Sequence, residues 1–244
     1  MTGPFTDKND EQQFLFHAEA AMNKRTFNRQ VSCLMVAQES RALMARRAIK
    51  SFIQQTWKDK DLVVVTEGYW NPDLSGVENV QLISIPSLRD ITLGDLRNLG
   101  TARCRGDFVA QWDDDDVSHP KRLEVMMISA LDSPEYDGVY LSEHTGAWPA
   151  QDRYWISHRR QWECTTLLKR HIIPVYPSLR KGEDTPTMKY LNLKAIDNAP
   201  ELYIRTFHGN NTWGEAHFAE HWIRKQRECT TDEKTQIAWL LGHP

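Results

Sequence analysis

The chain has 244 residues, 40% hydrophobic and 26% charged, with a formal net charge of −3, which suits one large domain with a sizeable core. That balance gives no global attraction to nucleic acid or to an anionic membrane, no apolar run approaches the roughly 20 residues that span a bilayer, and the N-terminus lacks the basic-then-apolar layout of a signal peptide. Cys33, Cys104, Cys164 and Cys229 form no C-x-x-C pair and fit reduced thiols of a cytoplasmic protein. Nine tryptophans are many for this length. Half-buried packing accounts for them, and sugar rings stack well on the same faces.

Residues 1–29 are polar, with Phe14, Ala18 and Ala21 at helical spacing behind Asp10 and Gln13 as a capping box. They read as an amphipathic helical extension. Val31–Ala37 is a continuous apolar run of strand length, and 41–55 reads as a helix with Leu43, Ala48, Ile49 and Phe52 on one face. Leu62–Val65 is a second buried strand, so these segments predict a βαβ unit in a parallel sheet covered on both faces. Val80–Ile85 is a third strand, 92–105 a helix, and Phe108–Trp112 a fourth strand. Pro120 opens the next helix, which stops at Ser133-Pro134. Gly138–Leu141 and Cys164–Leu168 read as short strands of a less regular second half. A helix near 187–193, a strand near 202–206, a helix near 214–227 and a polar tail over 229–244 close the chain.

Between the fourth strand and Pro120 stand Asp113, Asp114, Asp115 and Asp116. An acidic run is usually a solvated loop. A calcium loop places Asp113, Asp115 and Glu124 correctly but puts Val117 and Ser118 where a ligand and a glycine belong, and is discarded. Ligands of open α/β sheets gather at the carboxyl ends of strands, where Gln38-Glu39-Ser40, Thr66-Glu67-Gly68 and the aspartates all fall. Clustered carboxylates there suit Mg²⁺ or Mn²⁺ with phosphate oxygens completing the shell.

Together with 48–57, 62–68, Arg97-Asn98-Leu99-Gly100, 106–116 and Gly182-Glu183-Asp184, in this order and spacing, the chain resembles the inverting family 2 type of GT-A glycosyltransferases over about residues 31–213. The resemblance implies a Rossmann-like, mostly parallel α/β sheet flanked by helices, with a smaller irregular acceptor-side half. It implies one such domain over 30–228. Carried over, Asp113 meets the nucleotide or the metal, with Asp114 beside it as the variable member. Asp115 holds Mn²⁺ or Mg²⁺, joined by Asp116 as second ligand or orienting neighbour, and His208 is a further candidate ligand. Gln38, Glu67, Arg97 and Asn98 would face the donor, a UDP-sugar. Glu67 stands where the family has an aspartate, and Ala37-Gln38-Glu39-Ser40 replaces its usual Pro-Thr-Tyr-Asn. Asp184 matches the base that takes the acceptor proton.

Each position also has a plain structural reading: Arg97 and Asn98 as a helix-surface pair, Asp184 as a helix cap, His208 as a packing residue. His217 and His221 lack the glutamate of a metalloprotease helix and read as surface residues. The implied acceptor is a glycan or lipid-linked hydroxyl in surface polysaccharide assembly, at the inner face of a membrane with peripheral association. The ragged start and abrupt end suit a module of a longer enzyme. The rival readings are a sugar nucleotidyltransferase, whose glycine-rich basic loop is missing after the first strand, and a degenerate carbohydrate-binding scaffold.

Overall fold

The computed structural model describes residues 29–68, 70–87 and 90–242; the helix expected over 1–29 lies outside them but for Arg29. β1 (Val31–Ala37), β2 (Lys60–Glu67) and β3 (Val80–Ile85) are parallel neighbours, with α1 (Ala42–Ile53) crossing between the first two. The chain then passes through α2 (Leu93–Thr101) to β4 (Phe108–Gln111), which pairs in parallel with the other side of β1. β1 is buried along its whole length, as an apolar strand covered on both faces must be.

Beyond the aspartates come β5 (Val117–Ser118), α3 (Arg122–Leu131), β6 (Gly138–Leu141), β7 (Thr145–Trp148), β8 (Arg153–Ile156) and β9 (Leu167–Lys169). A one-turn helix α4 (Asp184–Met188), β10 (Leu193–Ile196), β11 (Tyr203–Thr206), α5 (Glu215–Ile223), β12 (Arg227–Glu228) and α6 (Thr231–Leu240) follow. The main sheet runs β10-β6-β9-β4-β1-β2-β3, with β9 antiparallel to both its neighbours. A second sheet, β12-β8-β7-β11-β5, stands where the sequence shows only an irregular half. The acidic turn joins the two sheets, since β4 belongs to the first and β5 pairs antiparallel with β11 in the second.

Trp112 ends β4 as a buried prop. Its indole N–H donates to the Ala48 carbonyl (3.0 Å), and its ring meets Phe52 edge-on. Beneath the turn, Arg122 is fully buried with its guanidinium over the Trp112 and Tyr203 rings, at 5.0 and 4.7 Å. It donates to Ser118 Oγ (3.0 Å) and to the Gln111 carbonyl (3.1 Å), on either side of the aspartates. A buried cation is tolerated only when hydrogen-bonded and near compensating charge, so α3 is held against the turn rather than merely following it.

Some elements depart from expectation. α3 begins at Arg122, two residues after Pro120, and the helix expected near 187–193 is the shorter α4, followed by β10 on β6. The closing segment is not a polar tail. Thr230 and Glu233 form a capping box that starts α6, and Cys229, Ile237 and Leu241 are buried against Val117 and Ile204. Removing such a side chain from a packed site costs about 2–5 kcal/mol, so Leu241→Ala is expected to lower the unfolding free energy in urea by at least the lower figure. A true tail would show almost no change.

Candidate active site

The four aspartates alternate in burial around the turn: Asp114 and Asp116 are buried, while Asp113 and Asp115 are partly exposed. Asp114 is 1% exposed. Its carboxylate takes Arg41 across both oxygens (2.8 and 3.1 Å) and accepts the Gln38 backbone N–H at 3.0 Å. It is thus a fixed strut to the end of β1 and not the free, variable member of the run. Burial, then the charge of Asp115, pushes its pKa up to about 7 against the pull of Arg41. Asp116 accepts the Tyr203 hydroxyl (2.6 Å) and the Thr206 N–H (2.9 Å), which clamps the turn to β11. Burial, then its acidic neighbours, raises its pKa well above the usual range.

Asp113 accepts from Arg97 Nη2 at 3.1 Å and from the Gln111 amide. Asp115 Oδ2 lies 3.1 Å from His208 Nε2 and accepts the Asn211 amide at 3.2 Å. Burial favours the protonated form of Asp115, but the His208 hydrogen bond and the Arg41 charge outweigh it and hold the pKa below the ordinary value.

Arg97 connects this turn to a distant loop. It is 5% exposed and also donates through Nε to Glu183 Oε1 at 2.6 Å. The rest of α2 grips the same loop. Asn98 exchanges two hydrogen bonds of 2.8 Å with the Tyr176 backbone, Ser178 donates to Asp95 at 2.7 Å, and the Gly94 N–H donates to the Leu179 carbonyl. Gly94 permits this approach, since a Cβ there would lie 1.9 Å from the Pro177 carbonyl oxygen. Asp184, the next residue after Glu183, lines one cleft with Arg97, Asp113, Asp115, Arg205 and Trp213. Burial above all, against the pull of Arg97, lifts the Asp184 pKa to about 6; the charges of Glu183, Glu163 and Asp113 add to the rise. Its Oδ1 accepts the Thr185 N–H at 2.9 Å in the first turn of α4, while Glu183 holds the N-cap position and makes no side-chain cap.

Other expected site residues sit elsewhere. Asn98 is a loop clamp with both ends of its amide engaged. Gln38 reaches the acids only through its backbone while its side chain is exposed. Glu67 ends β2 and accepts from Ser87 at 3.1 Å, off the cleft wall. His217 and His221 are not surface residues: their Nε2 atoms are 3.0 Å apart, His221 is buried, and His217 stacks on Trp213. Burial first, then the charge of Arg205, lowers their pKa values to about 4 and about 3.

Arg205 has no counterpart among the sequence candidates. It lines the cleft from β11, with its guanidinium 4.9 Å from the Phe218 ring centroid, and its side chain has no hydrogen bond or ion pair among the described residues. Strand alternation is the only signal that could have found it, because its neighbour Ile204 faces the core.

No group of three or more His, Cys, Asp or Glu positioned to hold a metal unaided occurs among the described residues. The Asp115–His208 pair supplies two donors of the kinds that Mn²⁺ accepts, and such ions are commonly held by few protein groups with phosphate oxygens completing the shell. His208 Nδ1 accepts from the Asn210 N–H at 3.3 Å, which favours the tautomer with the proton on Nε2; a cation at Nε2 would need the proton moved to Nδ1 and this contact given up.

A mostly parallel sheet flanked by helices, with acids at its junction with a second sheet, is the architecture of the GT-A class. The family model "Glycosyl transferase family 2" matches residues 32–182, and the chain belongs to that family. Similar curated proteins include cholesterol galactosyltransferase of Borreliella burgdorferi, 30% identical over 82 residues, covering 32% of this chain and 23% of that protein. Another is the amylovoran biosynthesis glycosyltransferase AmsE of Erwinia amylovora, 29% identical over 94 residues, covering 36% and 35%. The chain thus spans about a quarter to a third of these relatives. Among solved structures, S. aureus TarS 1-349 with UDP-GlcNAc matches with a TM-score of 0.61 and 14% identity, over 87% of this chain and 65% of that one. Mannosyltransferase PcManGT of Pyrobaculum calidifontis, in complex with GDP-Man and Mn²⁺, matches at 0.53 and 12%, over 88% and 70%.

The grip of α2 on the loop predicts a separation of effects. Gly94→Ala is expected to displace residues 177–183 and lower turnover about tenfold to a hundredfold, the usual cost of slight misplacement. Donor KM should change by less than about threefold on that scale. Steady-state kinetics with a circular-dichroism check of folding reads both.

Proposed function

We propose that the chain transfers a sugar, with inversion, from a nucleotide-diphosphate donor to an acceptor hydroxyl. The observation that carries this reading is the double use of Arg97, which holds Asp113 and the Glu183-Asp184 corner around one cleft. Asp113 takes the nucleotide side, and Asp115 with His208 holds the divalent ion, Mn²⁺ or Mg²⁺. Such a cation offsets the negative charge that the departing nucleoside diphosphate gains. Arg205 adds a fixed positive charge at the same wall, of the sort that stabilises developing anions. Asp114 and Asp116 keep the turn in shape.

In the single displacement, the acceptor oxygen bonds to the anomeric carbon as the bond from that carbon to the diphosphate oxygen breaks. The hydroxyl proton goes to Asp184. A carboxylate with a pKa near 6 is ionised at neutral pH and still basic enough to accept that proton, which suits general-base catalysis. UDP is the favoured nucleotide because TarS is described with UDP and UDP-GlcNAc; GDP is the alternative offered by PcManGT. A glycan or lipid-linked acceptor in surface polysaccharide assembly, and action at the cytoplasmic face of a membrane, extend the reading by analogy with the family. No helix among the described residues is long and apolar enough to cross a membrane.

Transfer should fall as pH drops through about 6, where Asp184 becomes protonated. Asp184→Asn should lose transfer by about 10²- to 10⁴-fold while still binding UDP with Mn²⁺ in calorimetry. Because the folded state raises this carboxyl's pKa, ionising it destabilises the fold as pH rises above its unfolded value, and that cost is complete above pH 6. Asp184→Asn is therefore expected to be at least as stable as the wild type at pH 8. Retained transfer by Asp184→Asn would rule out the base assignment. Absence of any metal-dependent nucleotide binding by the wild type would favour the scaffold reading instead.

A further inference from the structure

A roomier cavity than the acidic cleft, about 280 Å³ against about 100 Å³, lies behind the site between α1 and the end of α6. Its rim includes Arg47, Lys50 and Trp239. The buried face of α1 carries Ala45, Ala48, Ile49 and Phe52. The opposite face carries Arg46, Arg47, Lys50 and Ile53, and with them Leu43, which the sequence reading puts on the buried face but which lies about half a turn from Phe52. Its apolar members are not tucked away: Leu43 is 73% exposed, Ile53 42% and Trp239 70%.

The two outermost charges on this face are poorly compensated. Arg46 has one loose and largely exposed pairing with Asp73 at 3.8 Å, and Lys50 has no ion pair among the described residues; Arg47, half-buried, donates to the Leu241 carbonyl at 3.3 Å and feels the charges of Asp116 and Asp115. Three cations on one helix face of a chain whose net charge is −3 make a local positive patch. Exposed aliphatic and indole groups among them gain nothing from a purely ionic partner. They do gain from a surface that presents anions above hydrocarbon, where cations meet the head groups and apolar side chains reach the acyl boundary.

We propose that this face of α1, with Trp239 of α6, docks the enzyme on an anionic phospholipid surface, the cations on lipid phosphates and Leu43, Ile53 and Trp239 at the acyl boundary. The proposal stands apart from the transfer chemistry, since none of these residues lines the acidic cleft. One patch of this size gives reversible attachment, not anchoring. Nucleic acid, the other polyanion such a patch could meet, offers no apolar layer for Leu43 and Trp239.

The test is co-sedimentation of the full chain with vesicles of phosphatidylcholine alone and of phosphatidylcholine with phosphatidylglycerol, in parallel with a filter assay on duplex RNA. Binding is expected only to the anionic vesicles, with a blue shift of tryptophan emission. Each cation near such a surface multiplies the partition coefficient about fivefold. The double variant Arg46→Gln, Lys50→Gln, both at exposed positions, should therefore reduce it about twenty- to thirtyfold. Trp239→Ser should reduce binding and remove most of the emission shift. Equal binding to both vesicle types, undiminished binding by the double variant, or equally tight binding to duplex RNA would each overturn the proposal. Nucleotide binding by the same variants should match the wild type, which separates failure of this idea from failure of the catalytic one.

Discussion

The site depends on one buried cation with two acidic partners. Arg97 is nearly inaccessible, and burying a guanidinium is tolerable only if carboxylates and hydrogen bonds satisfy it. Its partners come from far apart in the chain, Asp113 from the turn after β4 and Glu183 from the corner before α4. Satisfying one side chain therefore brings Asp113 and the Asp184 corner to the same place. The planar fork of arginine can serve two carboxylates at once, which a lysine ammonium does less well.

The same logic explains how four consecutive aspartates are accommodated. Their repulsion is met by dividing them among different partners: Arg97 and Gln111, Arg41 and the Gln38 N–H, His208 and Asn211, Tyr203 and the Thr206 N–H. Two of the four thereby become structural, joining the turn to β1 and to β11. The other two remain partly accessible on the cleft side. A run that begins as a generic cation signal becomes a joint between two sheets, with its working atoms held from behind by Trp112 and Arg122.

The parallel core of the main sheet, β1 to β4, was legible because buried parallel strands read as unbroken apolar runs, as in Val31–Ala37 and Leu62–Val65; β10 at its edge was not. The second sheet was not. Its strands are two to four residues long, too short to show a period, and what defines them is pairing between distant segments such as Val117 with Ile204. Asp113, Asp115 and Asp184 stood out as acids in a familiar order. Arg41, Arg122 and Arg205 did not, because a lone arginine looks the same in a sequence whether its side chain faces solvent or packs beside the site. Asn98 was legible as a residue of interest but not in its role, since its partner is a backbone 78 residues away.

The most direct measurement is turnover of Arg97→Lys at saturating donor, alongside its affinity for UDP with Mn²⁺ and its melting temperature. This variant keeps the buried positive charge but loses the fork. If Arg97 holds the two acids in one arrangement, the protein stays folded and turnover falls about tenfold to a hundredfold. Turnover equal to the wild type in a folded Arg97→Lys protein would contradict the account.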